Sequence, residues 1–346
     1  MRDIMDEALE RLAPFGPDLA NGLTNHAPMA AEALCRLGRV DAVLPWIDRY
    51  ARGMMPRPKR VEPIGLDWRR ALGRTDRTTE WMEVFEEELR EAPWRDVVVG
   101  WADRLAPAVC ASAMHGVIRV GHAVRSLEVA ETSLRLRELA EALGYWAASY
   151  QTLPESAATA SITRVRPRDA IASVARVPPE ERKFAGTIVS SLEALAHFRP
   201  FSSVGERLDT DGDPGETISE LTETFSRVLI ANAHDALGAI VFVHGVTGLT
   251  AIRSLLPLLE PGAARRMVRY GWQASAALYA AFGSALPERR DLEAPTDVAS
   301  LVDAAVAHGD EHAIKLTEAC VREHAIRPSD AYLAAARRAI ELLLRA

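Results

Sequence analysis

Cysteine is scarce in this chain: three residues, Cys35, Cys110 and Cys320, lie far apart with no CxxC pair among them. That count excludes a disulfide framework and fits reduced thiols in a cytoplasmic compartment. Each sits in an Ala- and Leu-rich helical pattern, where a thiol serves as a small core side chain. Phosphate cradles are missing too. Neither GxGxxG nor GxxxxGK followed by Ser or Thr occurs, so no motif holds a nucleotide phosphate. No GxSxG exists, which argues against a nucleophile elbow. Alternating strand patterns are few, so a dinucleotide-binding parallel sheet has nothing to be built from.

A long uninterrupted apolar run is also lacking. The N-terminal MRDIMDEALERLAPFG is broken by acidic residues and does not read as a signal peptide. The most apolar stretch, Leu229 to Leu249, carries Asn232, His234, Asp235 and His244, groups that are costly in lipid, so no membrane span is expected. Excess positive charge is absent. With a net charge of −7, the chain has no global field for nucleic acid or an anionic membrane, and neither is expected as a partner.

What the chain has is helix. Apolar residues make up 48%, enough for a large core. Ala, Leu, Arg and Glu abound at helical spacing. Helices are expected over Asp3 to Leu12, Met29 to Leu37, Ala42 to Tyr50, Thr79 to Glu91, Trp94 to Leu105, Pro107 to Leu127 and Ser133 to Leu153. Further ones follow over Glu216 to Ala233, Leu237 to Leu259, Pro261 to Ser284, a segment capped by Thr296 and Asp297 and running to His308, Asp310 to His324, and Pro328 to Arg345. Met55 to Gly65, Pro200 to Glu216 and Leu286 to Pro295 read as loops. The fold class is therefore all-α, a multi-helix bundle. Residues 1–346 read as one domain, divisible into lobes 1–153 and 187–346 about an irregular connector 154–186, with a central metal and substrate pocket.

Two motifs have bland counterparts. Asp209, Asp211, Asp213 and Glu220 copy part of a calcium loop, but Pro214 stands where the turn needs glycine. An acidic loop capping the next helix is the plainer reading. His308-Gly309-Asp310-Glu311-His312 matches the inverted zinc-protease pattern H-x-x-E-H, with Glu311 as general base. Gly309 inside it weakens a helix.

The nine histidines carry more information. A lone helical histidine is usually a hydrogen-bonded core or surface residue, so the question is whether they form a set. His26 opens an apolar helix. His115 and His122 lie seven apart on one face with Arg119 between them. His244 ends the apolar run 239–243, where a buried imidazole needs a partner. His308, His312 and Lys315 share a face at i, i+4 and i+7. Imidazole suits Zn, Fe, Cu and Ni, and helix bundles build metal sites from inward-facing side chains of several helices.

Four segments, LTNHAPMAAEALCRLG, MHGVIRVGHAVR, VHGVTGLTAIRSLLP and DEHAIKLTEAC, occur in this order. Together they resemble the questin oxidase-like family over nearly the whole chain. That resemblance implies a helical oxygenase that oxidises aromatic polyketides such as anthraquinones, by ring opening or a Baeyer–Villiger-type reaction. It implies a non-haem iron held by four histidines and a carboxylated lysine. The family's NH motif falls on Asn25-His26, its HG motif on His115-Gly116, and its H-x-V-T motif on His244, Val246 and Thr247. Its DxH-x-x-K motif falls on Asp310 or Glu311, His312 and Lys315. Fungal members carry extra histidines near the first two motifs, where this chain has Met29 and Arg119.

The resemblance thus implies His26, His115, His244, His312 and Lys315 as metal ligands. Asn25, Arg119, His122, His234, His308, Asp310 and Glu311 stand as outer supports or alternative ligands. The implied cofactors are Fe(II), a CO2-derived lysine carbamate and O2 as co-substrate, with a planar aromatic or quinone substrate. Lysine reacts with CO2 only when neutral, and burial near a cation depresses its pKa. Lys315 otherwise reads as an exposed charge or a salt bridge to Glu311 or Glu318. Two alternatives keep the fold: a metal-free oxidase drawing electrons from NADPH, and a helical binding protein with satisfied core histidines.

Overall fold

The computed structural model describes residues 3–155, 162–287 and 297–345. Fifteen α-helices are found among them. The first half comprises α1 (Ile4–Leu12), α2 (Ala27–Arg36), α3 (Val40–Tyr50), α4 (Thr78–Glu91), α5 (Trp94–Leu105), α6 (His115–Val129) and α7 (Ser133–Ala148). Two short helices follow, α8 (Pro167–Ala170) and α9 (Ile188–Ala194). The second half comprises α10 (Pro214–Asn232), α11 (Ala236–Leu255), α12 (Pro261–Phe282), α13 (Val298–His308), α14 (Glu311–Ile326) and α15 (Asp330–Leu342). The all-α multi-helix reading holds.

Local chemistry explains many of the starts. Side chains of Asp3, Thr132, Asp213, Asp235, Asp297, Asp310 and Ser329 accept from free backbone N–H groups at the beginnings of α1, α7, α10, α11, α13, α14 and α15. Each such cap is worth about 1 kcal/mol. Asp213 is thus a helix cap. Glu220 pairs with Arg166, and Asp209 accepts from the Asp211 N–H, so the four acids of the calcium-like loop do not converge.

Three expectations need correction. The helix foreseen over 107–127 is interrupted: Ser112, Ala113 and Met114 all take left-handed backbone, with φ of 50°, 55° and 70°, and α6 starts only at His115. The helix foreseen to Leu153 stops at Ala148. A small antiparallel ribbon, β1 (Phe15–Leu19) with β2 (Met54–Pro56), escapes the pattern because it is short and carries Gly16, Pro17 and Pro56. The helix cap foreseen at Thr296 and most of the loop foreseen over Leu286 to Pro295 lie outside the described residues.

Helix α11 sits at the centre, packed by α6, α10, α12, α14 and α15. Ala236–Leu258 is long and apolar enough to cross a bilayer by length and composition, yet 83% of its apolar window is buried inside the protein. One core runs through most of the chain, from Met29 to Leu343, and a smaller one joins α1, α2 and α3 to Ile314 of α14. Five of the seven tryptophans are buried in the larger core and Trp46 in the smaller. Trp81, Trp146 and Trp272 donate their indole N–H to the carbonyls of Ala71, Ala108 and Val204.

Helices α6 and α11 touch closely at Gly121, where an added Cβ would lie 2.8 Å from the Ala251 Cα. Overpacking against backbone costs about 1–3 kcal/mol, more than the roughly 1 kcal/mol that alanine gains over glycine in a helix. Gly121→Ala therefore lowers the urea unfolding midpoint. A raised midpoint would mean that the two helices are further apart than described.

Candidate metal centre

His26 stands at the entrance of α2. Asn25 holds that entrance rather than facing a ligand: its Oδ1 accepts from the Ala27 N–H at 2.9 Å and its Nδ2 donates to the Gly16 carbonyl at 2.9 Å. The His26 N–H donates to the Tyr50 hydroxyl at 3.1 Å. His115 begins α6 at the end of the left-handed turn. His244 lies mid-way along α11. Gly309, at φ 86°, closes α13, and Asp310 restarts the chain as α14 by accepting from the N–H groups of His312 and Ala313. His312 and Lys315 then project from successive positions on one face of α14.

These five side chains meet. The His26 and His115 Nε2 atoms lie 2.7 Å apart, and the His115 and His244 Nε2 atoms 3.1 Å apart. The His312 ring centre is 4.7 Å from that of His26 and 5.4 Å from that of His244. The Lys315 Nζ is 3.2 Å from the His26 Nδ1. All five residues are at least nine-tenths buried.

The outer nitrogens settle two tautomers. His115 Nδ1 faces the Ser112 carbonyl at 2.5 Å, and His244 Nδ1 faces the Ile240 carbonyl at 2.6 Å. A carbonyl only accepts, so each Nδ1 carries the proton and each neutral ring turns a bare Nε2 lone pair inward. Burial drives His115 down to about 3 and pushes His26 and His244 well below the usual imidazole range, with Lys315 adding to the effect. Two lone pairs facing one another across 3.1 Å are mutually repulsive. One N–H, from His26 Nε2, can satisfy only one of them.

That donor set fits a metal ion. Neutral imidazoles with inward lone pairs and outward N–H groups held by carbonyls are the usual arrangement of histidine ligands. Among the described residues His312 Nδ1 is buried without a hydrogen-bond partner, with the Asp310 Oδ1 3.4 Å away. Glu311 adds an acidic option: His26, Glu311 and His312 can bring one ligand atom each within 4.8 Å of one another. His26 is shared between the two sides, with Nε2 toward His115 and Nδ1 toward Lys315 and Glu311.

Burial lowers Lys315 to about 8, against the opposing pull of Glu311 and Asp310. At 1% exposure it is not a surface charge, and Glu318 is taken by Arg125 and Arg322.

The other candidates lie apart. Arg119 forks onto Glu138 at 2.7 and 2.8 Å and reaches Glu141 at 3.0 Å. His122 meets Glu32 at 2.7 Å, in a buried ion cluster with Arg125 and Glu318. The α6 stripe of His115, Arg119, His122 and Arg125 therefore serves three different networks. His234 is exposed at the α10–α11 turn. His308 Nε2 donates to the Leu343 carbonyl at 3.2 Å, and the helix break at Gly309 separates it from His312, so the inverted zinc-protease motif has no single helix to stand on.

The sequence profile described as questin oxidase-like matches residues 23–320. The chain belongs to the questin oxidase-like family. No curated protein sequence matches it. The family span takes in all four inward histidines and Lys315. The family's name points to an oxidase, an oxidoreductase activity.

Two features went unread in the sequence. The left-handed turn at Ser112 to Met114 leaves no mark, since none of the three is glycine. Glu32 was not singled out, and Glu318, considered as a partner for Lys315, instead pairs with Arg125 and Arg322. A signal did exist for Lys315: the chain holds only three lysines beside 38 arginines, and one of the three falls on a His-bearing helix face.

The metal-free protein is predicted to lose stability in acid. His26, His115, His122 and His244 are all held below the ordinary imidazole pKa by burial. The unfolded chain therefore binds more protons once the pH falls below about 6.5. Their contribution is fully present above that pH and is lost below it, at up to about 1.4 kcal/mol per pH unit for each histidine. Urea midpoints at pH 8 and pH 5.5 test this, and equal midpoints would contradict it.

Proposed function

We propose that this protein is a non-haem iron oxygenase that oxidises a planar aromatic polyketide or quinone, by ring cleavage or Baeyer–Villiger-type oxygen insertion. The observation that carries this reading is the convergence of the His26, His115 and His244 Nε2 atoms beside His312 and a buried Lys315. The family supports an oxidase. In the proposal the enzyme is a cytoplasmic single domain.

His26, His115, His244 and His312 would hold the metal, with Lys315 as the anionic fifth group after carboxylation. When bound, ferrous iron supplies the one-electron chemistry that lets O2 react with a closed-shell organic molecule. The chain's own part is preparation. The Ser112 and Ile240 carbonyls hold the protons of His115 and His244 on Nδ1, which keeps both Nε2 atoms available. Burial excludes water and keeps the His26, His115 and His244 rings neutral. With its pKa at about 8, Lys315 is neutral in about a tenth of molecules at pH 7. Its amine lone pair adds to the carbon of CO2, one N–H proton leaves to solvent, and the resulting carbamate carries one negative charge. That charge offsets a dication which four neutral imidazoles leave uncompensated.

Elemental analysis of untagged protein, reconstituted anaerobically with ferrous iron and bicarbonate, tests the reading. Stoichiometric iron is expected in the wild type, near-complete loss in His26→Ala, and weaker retention in Lys315→Met. Oxygen uptake with a hydroxyanthraquinone should follow the iron content. Full iron and full uptake in His26→Ala would sink the assignment, and tight zinc in place of iron would favour a hydrolase.

A further inference from the structure

A cleft of about 900 Å3, within the size range of small-molecule pockets, has in its wall Ser112, whose carbonyl holds the His115 ring. Leu19, Met55 and Pro56 of the ribbon, Tyr150 after α7, and Val189 of α9 give it apolar flanks. Thr24, Ser112 and Tyr145 also line it.

These three hydroxyls form a cluster. Tyr145 Oη lies 2.8 Å from Thr24 Oγ1 and 2.6 Å from Ser112 Oγ. Three hydroxyls carry three protons, and the two hydrogen bonds among them use two. One O–H is left to donate to something else. Thr24 and Ser112 are half-buried on the cleft wall, while Tyr145 is buried behind them with its phenol pushed up by burial, so it stays protonated.

The same residues adjoin the centre. Thr24 lies two positions before His26, and the Ser112 carbonyl accepts from His115 Nδ1. A molecule held on the hydroxyl cluster would therefore sit where the cleft comes nearest, along the chain, to two of the histidines.

We infer that this cleft binds the planar substrate and that the Thr24–Tyr145–Ser112 cluster is its polar anchor, donating a hydrogen bond to a carbonyl or phenolic oxygen. The inference rests on the oxygenase reading above and adds to it the place and orientation of the substrate. Tyr145 is a positioning residue, acting through the two hydroxyls it holds.

Binding of 1,8-dihydroxyanthraquinone to the full-length, iron-loaded protein under anaerobic conditions tests it, followed by visible absorbance, with anthracene-2-sulfonate as a planar probe lacking ring oxygens. Tyr145→Phe keeps the ring and removes one hydroxyl. It should weaken the dihydroxyanthraquinone about tenfold, leave the anthracene probe unchanged, and leave iron content unchanged. Val189→Trp should fill the cleft and abolish binding of both probes, again with full iron. If the wild type binds the quinone and both variants bind it equally well, the cleft assignment is overturned while the oxygenase reading stands. Equal weakening of both probes in Tyr145→Phe, or loss of iron, would make Tyr145 a structural support and overturn the anchor. An iron-loaded wild type that binds no quinone would overturn the substrate reading and this inference with it.

Discussion

Four imidazoles and a primary amine share a volume closed to water, and the surrounding structure is arranged around that constraint. A buried polar atom without a partner costs about 1–3 kcal/mol. The outward nitrogens of His115 and His244 find backbone carbonyls, at Ser112 and Ile240. Of the neighbouring charged groups, Asp310 and Glu311 face the centre, while those further along α6 are engaged elsewhere. Arg119 takes up Glu138 and Glu141, while Arg125 takes up Glu32 and Glu318. The arginines and acids around α6 thus neutralise one another away from the histidines.

The approach to His115 shows how local backbone serves the same end. Three successive non-glycine residues in left-handed conformation cost roughly 1–2 kcal/mol each. The turn they make delivers the Ser112 carbonyl to the His115 ring and its hydroxyl to Tyr145. Gly116 completes the arrangement, since a Cβ there would lie 2.6 Å from the Trp146 ring. Trp146 in turn donates to the Ala108 carbonyl, which pins the start of the same turn to α7. Strain here is held in place by packing on both sides, a pattern associated with functional sites.

The legible parts of the sequence were those governed by short-range rules. Helix spacing, capping aspartates and the glycine at 309 act within a few residues, and α1, α4, α5, α13, α14 and α15 fall close to where those rules put them. The interruption at Ser112 to Met114 depends on contacts with α7, so no local signal announced it. Arg119 and His122 were as good candidates as His115 by spacing. Only the acids across from them, Glu138 and Glu32, separate the three. Those acids come from helices 19 and 90 residues away in the chain.

By itself the sequence determined an all-α chain with a large core, the family it belongs to, and a short set of histidines on apolar helix faces. It could do so because periodicity and ordered motifs are properties of the chain. Which histidines face one another, which tautomers they hold, and that Lys315 lies against His26 rather than an acid were decided by tertiary structure alone. Those outcomes depend on distances between α2, α6, α11 and α14, elements up to 289 residues apart in sequence. Burial, which removes the water that would otherwise satisfy each group separately, exists only after they have packed.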